Sequence, residues 1–169
     1  MQRQTILATT RLHVTTWLAQ DVEDLHRLHS DPLTMRYVRN GRPETRDETE
    51  ELLAQYIREQ ATRGWTKWRV VDHRGTLVGR GGFGPRGTDR ELGYTIRRDL
   101  WGRGLATEVA TALVQWHRDH ISRDPRTMLW AYAADGNSPS HRVLEKVGFT
   151  FAGNADHNGM PCTLYRLPD

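Results

Sequence analysis

Gly102, Gly104 and Ala106 stand where an apolar, strand-like run (residues 92–96) gives way to a helix-like one (residues 105–116). A turn of this composition can bring several backbone N–H groups to one point without side chains in the way. The start of a helix adds its own unpaired donors and a partial positive charge. The product is an anion site, most often for phosphate or pyrophosphate. Arg97, Arg98 and Arg103 lie in the same segment and raise the local positive potential. The spacing is neither G-x-G-x-x-G nor G-x-x-x-x-G-K-[ST], so a dinucleotide fold and a P-loop NTPase are both poorly supported.

Other reactive side chains carry less. His26 with His29, and His117 with His120, are spaced i,i+3, but no nearby Cys or carboxylate completes a metal set. An ordinary amphipathic helix explains the first pair. The second falls at a helix C-terminus, where imidazolium is favoured. No metal is expected. Cys162 sits in an apolar run, where a small hydrophobe is its commoner role. Glu108 reads as solvated or ion-paired.

The wider segment is more specific. Glu91-Leu92-Gly93-Tyr94, followed by Trp101-Gly102-Arg103-Gly104-Leu105-Ala106-Thr107-Glu108, resembles the acyl-CoA-binding signature of the GNAT superfamily of N-acetyltransferases. In detail it is similar to the RimJ/RimL-type branch, the ribosomal-protein N-terminal acetyltransferases and their small-molecule-acetylating relatives. Of the broad signature Gln/Arg-x-x-Gly-x-Gly/Ala, Gly104 and Ala106 fill the last two fixed positions, and Trp101 stands at the Gln/Arg position. A second block, residues 137–149, resembles the family's Asn-x-x-Ser/Ala…Glu-Lys-x-Gly-Phe stretch.

The resemblance implies an acetyl-CoA-dependent enzyme that moves an acetyl group directly to a primary amine, either a protein N-terminus or a small molecule. It implies CoA contacts from Tyr94, Ile96, Trp101, Gly102, Arg103, Gly104, Leu105, Ala106 and Thr107. It also implies that Asn137 bonds the pantetheine arm, that Ser140 lies near the thioester sulfur, and that a backbone N–H on residues 92–96 holds the oxyanion. Glu91 is the candidate general base, since an acceptor amine is mostly protonated at pH 7. Many superfamily members carry a tyrosine at the Leu144 position, thought to protonate the departing thiolate. Leucine cannot do this, which leaves Ser140 or a water for the task. It also leaves a non-catalytic acyl-CoA-binding module on the same fold as the alternative.

Composition fits this frame. At 169 residues, 37% hydrophobic and 27% charged, the chain reads as one soluble domain spanning 1–169. No apolar run approaches a membrane span, and the N-terminus is too short and weakly apolar for a signal peptide. One cysteine excludes an intramolecular disulfide and suits a reducing cytoplasm. The net charge of +3 leans towards anionic ligands, without the basic face that nucleic acid requires. A homodimer is left open.

The elements that must position these residues follow from pattern. Residues 11–18 alternate as a half-buried strand. Residues 21–30 carry Val22, Leu25 and Leu28 at helical spacing, and Asp31-Pro32 ends that helix. Residues 33–42 read as an irregular connection, Thr45 and Glu48 as a capping box opening a helix. Strands are expected over 65–72, 76–83 and 90–96, with a bulge or weak point at Gly81-Gly82. The glycine turn and its helix follow, Pro125 restarts the chain, and 127–133 forms a strand. Ser138 is the expected N-cap of the last helix, with Pro139 at its first position. A hairpin turning at Asn158-Gly159 ends the chain. The order β-α-α-β-β-β-α-β-α-β-β predicts a mixed, mostly antiparallel sheet with helices on both faces, the α/β (α+β) arrangement of the GNAT fold. Residues 33–42 and 154–160 are the expected acceptor-side walls, and the tryptophans core or pocket walls.

Overall fold

The computed structural model describes residues 2–120 and 127–169. Eight strands form one sheet in the order β1-β2-β3-β4-β5-β6-β8-β7. They are β1 (Thr5–Ala8), β2 (Leu12–Thr15), β3 (Lys67–Asp72), β4 (Leu77–Arg86), β5 (Asp89–Ile96), β6 (Leu129–Ala134), β7 (Thr150–His157) and β8 (Met160–Arg166). All neighbours are antiparallel except β5 and β6. The helices are α1 (Val22–His29), α2 (Pro32–Met35), α3 (Arg46–Arg63), α4 (Leu105–Asp119) and α5 (Ser138–Lys146).

The sheet is apolar on both faces because helices cover both. Trp68, Val70, Phe83 and Leu92 pack with Val109 and Leu113 of α4 and Leu144 of α5. The opposite side buries Trp17 with Leu25 and Leu28 of α1 and Leu52, Leu53 and Tyr56 of α3. Each such side chain contributes roughly 1.5–3 kcal/mol on burial. The Thr45–Glu48 capping box opens α3 as expected, with both reciprocal bonds made.

The pairing of β5 with β6 positions the site. It runs only from Arg90 opposite Leu129 to Leu92 opposite Ala131. Beyond that point β5 stays with β4 as far as Ile96, and β6 stays with β8 as far as Ala134. Each strand follows its outer partner, and a gap opens in mid-sheet.

Several expectations need correction. The order gains an N-terminal strand, β1, which pairs with β2, and a one-turn helix, α2, inside the expected irregular connection. Asp31 caps that helix by accepting from the Thr34 N–H at 2.9 Å, so it starts a helix as well as following one. The first expected strand is shorter, because Trp17 leaves it to become fully buried and to donate from Nε1 to the Lys67 carbonyl at 2.8 Å. The cap of α5 is Asn137, not Ser138, which moves Pro139 to the second helical position. Gly81-Gly82 marks no bulge against β5; the irregularity lies between Val70 and Val71, where β3 meets β4. Gly82 is required for another reason: a Cβ there would stand 2.0 Å from the Thr66 carbonyl oxygen. His117 is not a dipole-stabilised imidazolium. Burial, then Arg90, pushes it down to about 4. The expected restart at Pro125 lies outside the described residues.

Candidate active site

At one end of the gap lies the glycine turn. Gly104 is the N-cap of α4, with φ +75° and no side chain satisfying the first turn. The first bond of that helix runs from the Glu108 N–H to the Gly104 carbonyl. The N–H groups of Leu105, Ala106 and Thr107 precede it and are the orphan donors of a helix start. Of the three arginines, Arg97 is paired with Asp99 and donates to the Leu77 carbonyl, and Arg98 is paired with Asp31. Arg103 stays exposed, its guanidinium donating to the Asp99 carbonyl at 3.4 Å. Trp101 is half exposed, and its indole N–H ties the loop to the Ile96 carbonyl at 2.8 Å. Glu108 is ion-paired with Arg11 at 2.6 Å and accepts from Thr9, which fastens the helix start to the β1–β2 turn.

Midway along the gap, the register selects one backbone donor. The Arg90 N–H points to the β6 side, bonding the Met128 carbonyl. Alternation puts Leu92 and then Tyr94 on the same edge, and the ladder stops between them. The Tyr94 N–H therefore faces the gap. Its phenol lies on the α4 side and meets the Ser140 hydroxyl at 3.0 Å. Burial pushes this phenol up to about 12, with the Ser140 bond opposing. Asn137 accepts weakly from the Ser140 N–H at 3.4 Å, and Leu144 is fully buried behind them.

The other face of the gap carries charge. Lys67, Gly82 and Gly93 stand opposite one another across three strands. The two glycines leave room for the Lys67 stem; a Cβ on Gly93 would be 2.7 Å from its Cε. Lys67 thus reaches across β4 to Glu91, with Nζ 3.8 Å from Oε1. Burial pushes its ammonium below the ordinary lysine range, with Glu91 opposing. His157 approaches the same carboxylate oxygen at 3.6 Å and stacks on Tyr132. Tyr37, Arg39, Arg80, Thr95, Asn158 and Met160 complete this wall.

Of the residues singled out from sequence, Glu91, Tyr94, Asn137 and Ser140 line this cleft. Residues 101–107 form the glycine turn at its end, and Ile96 lies between the two with its carbonyl occupied by Trp101. Both expected acceptor walls contribute, through Tyr37–Arg39 and His157–Met160. Trp17 and Trp68 are wholly core, on opposite faces of the sheet. Lys67, Arg80 and His157 escape the sequence reading, because they meet Glu91 and the gap only through strand register. Cys162 is buried as expected, and burial raises its thiol. His29 is not one of the surface polar groups of an amphipathic helix; it is fully buried against Glu44 and Arg80. No group of three metal-ligating side chains occurs among the described residues. No helix among them is long and apolar enough to cross a membrane.

A row of open N–H donors, a mid-sheet gap where β5 and β6 diverge and a carboxylate on its far wall define an acyl-CoA-dependent acyltransferase. The Acetyltransferase (GNAT) domain matches residues 11–150, and the chain belongs to that family of acetyl-CoA-dependent N-acetyltransferases. Nothing in the matches supports a non-catalytic module. The uncharacterized protein YkkB of Bacillus subtilis is 28% identical over 171 residues, covering 98% of this chain and 96% of its own. An acetyltransferase from Agrobacterium tumefaciens shares the fold with a TM-score of 0.80 and 24% identity, over 96% of this chain and 94% of that one. RimL, a ribosomal L7/L12 alpha-N-protein acetyltransferase, superposes with a TM-score of 0.75 at 16% identity, over 98% and 94% of the two chains. The likeness to the RimJ/RimL-type branch thus extends to the fold.

Proposed function

We propose that the chain is a cytoplasmic enzyme acetylating a primary amine by direct attack, with Glu91 as base and Ser140 at the leaving group. The observation that carries this reading is the Tyr94 N–H, the first backbone donor left facing the gap where β5 diverges from β6. It lies between the α4 turn on one side and Glu91 on the other. The pyrophosphate of acetyl-CoA is held by the N–H groups of Leu105, Ala106 and Thr107, with Arg103 adding charge. Trp101, Gly102 and Gly104 shape that turn, and Asn137 meets the pantetheine arm.

The amine nitrogen attacks the thioester carbon. Its proton passes to Glu91, directly or through a water, and the carbonyl oxygen gains charge against the Tyr94 N–H. The C–S bond then breaks, and the sulfur takes a proton from water, directly or relayed through the Ser140 hydroxyl, which regains its own from that water; Glu91 returns its proton to solvent. The products are an N-acetyl amide and CoA thiol. Lys67 and His157 flank Glu91 and hold it on the acceptor wall.

The test is thiol release from acetyl-CoA across an amine library of peptides with free N-termini, amino acids, polyamines and aminoglycosides. Amine-dependent release, slowed by roughly 10²-fold in Glu91→Gln, is the expected result. Release that no amine accelerates removes the proposal.

A further inference from the structure

Arg80 is 3% exposed, and it projects from β4 onto the acceptor wall. Its neighbour across the strands, Arg69, is also buried but pairs with Asp24 at 3.0 Å and Asp21 at 3.9 Å. Arg80 has no such partner among the described residues. Its one side-chain hydrogen bond there runs from Nε to His29 Nε2 at 2.9 Å, with the Tyr56 ring 6.0 Å away. Because His29 Nε2 accepts this bond, the imidazole proton sits on Nδ1, which donates to Glu44 Oε2 at 2.8 Å. The imidazole is neutral, held at about 4 first by burial.

Glu44 shares its other oxygen with Arg39, Oε1 to Nε at 2.5 Å. Arg39 itself holds φ +51°, a left-handed backbone unusual for a side chain of this size. Facing this part of the cleft are therefore Arg39, Arg80, Lys67, Glu91 and His157, with Glu44 buried behind Arg39. Glu44 balances Arg39, and Glu91 balances Lys67. Arg80 is left over. A buried guanidinium with no carboxylate in ion-pair range is costly unless an anion meets it.

We propose that Arg80 is the acceptor's anion receptor: the substrates are amines that carry a carboxylate a few bonds from the nitrogen, as in amino acids and short ω-amino acids. The Glu44–His29–Arg80 chain aims the guanidinium by fixing its Nε, which leaves the Nη pair for the substrate. Spacing limits the length of the acceptor. Arg80 stands opposite Thr95, one residue beyond Tyr94. Successive residues rise about 3.4 Å along a strand and neighbouring strands lie about 4.8 Å apart, so a carboxylate on Arg80 leaves an amine near Tyr94 only a short bridge. Polyamines, which bring no anion, are disfavoured. This inference rests on the acetyltransferase reading for the place of attack.

Matched pairs test it: glycine, β-alanine, γ-aminobutyrate and phenylalanine, each against its own amide. Amidation lowers the amine pKa and so favours reaction of the amide at neutral pH; a carboxylate preference cannot come from amine basicity. Thiol release and thermal shift in saturating CoA are both read. In the wild type at least one carboxylate should raise Tm and react faster than its amide. Arg80→Gln should shrink that preference by at least about tenfold, as loss of a hydrogen bond to a charged group would. It should also leave the shift produced by CoA alone intact. His29→Ala should raise KM for the carboxylate with kcat little changed, the mark of a positioning residue. Equal binding and turnover of acids and amides in the wild type, or a preference that survives Arg80→Gln, overturns the proposal while CoA binding stands. Carboxylates that bind through Arg80 without any thiol release would uphold it and sink the acetyl-transfer reading instead. Should Arg80→Gln fail to fold, the wild-type comparison decides alone.

Discussion

The Tyr94 phenol and the Ser140 hydroxyl lie 3.0 Å apart, joining β5 to the first turn of α5 across the mid-sheet gap. Leu144, at the position where the family resemblance implies a tyrosine acid in many members, is 1% exposed one turn further along α5. A phenol therefore reaches Ser140 from the opposite strand. With its pKa at about 12, Tyr94 stays protonated and can donate to Ser140 Oγ, turning the serine hydrogen towards the sulfur.

If that pair assists thiolate departure, Ser140→Ala should lower kcat and leave acetyl-CoA affinity nearly unchanged. The effect is modest, because a thiol of pKa near 8.5 is already a tolerable leaving group. Tyr94→Phe should produce a similar loss, and the double variant little more than either alone, since contacting residues are not additive. The loss should shrink with an acyl donor of more acidic thiol. A kcat unchanged by Ser140→Ala, with affinity lost, would make Ser140 a binding residue only.

Gly104→Asp addresses the proposed anion site. It puts a carboxylate beside the three open N–H groups and an L side chain at φ +75°. At least a tenfold loss of acetyl-CoA affinity is expected by calorimetry, about 1.4 kcal/mol. The Arg11 guanidinium lies 3.6 Å from where the new Cβ would stand, and the fold should be retained. Unchanged affinity would move the pyrophosphate elsewhere.

Glu91→Gln should reduce kcat by roughly 10²-fold, the usual scale for a positioned base. The acidic limb of the pH–rate profile should move with it. The Lys67 ammonium and the His157 ring would lose their carboxylate, so His157→Gln is the control: a large loss there with Glu91→Gln silent would hand the base role to the imidazole.

Much of the fold and the site is legible in the chain. The capping box at Thr45, the glycine turn at Gly104, the hairpin tip at Asn158-Gly159 and the interior place of Cys162 all follow from local chemistry, which short windows of residues display. What escapes depends on register. Lys67 reaches Glu91 only because Gly82 and Gly93 fall opposite it on two further strands. His29, with its i,i+3 companion His26, looks like one side of a surface helix. Its burial follows from Glu44 and Arg80, which lie 15 and 51 residues away. The strand β1 does not stand out because it is a four-residue edge strand, too short for alternation to show.

The buried histidines make stability sensitive to mild acid. His29 and His117 are each held at about 4 in the folded chain, from an ordinary value of 6.5, mainly by burial. A histidine depressed on folding is neutral in the native state, while the unfolded chain takes up a proton below pH 6.5. Stability is therefore complete above about pH 7, falls as the pH drops through 6.5, and stops falling from this cause below about 4. At pH 5 each site should cost roughly 2 kcal/mol. The depressed carboxyls, among them Glu44, Glu48 and Glu108, act in the same direction but below about pH 4.5, so the window from 6.5 to 4.5 isolates the histidines. Denaturant unfolding of the wild type should show this slope. His117→Gln should remove about half of it and leave the carboxylate-dependent loss below pH 4.5 unchanged. A wild-type stability that is flat between pH 7 and 5 would mean that these imidazoles are protonated in place. The tautomer that binds Arg80 Nε would then be wrong as well.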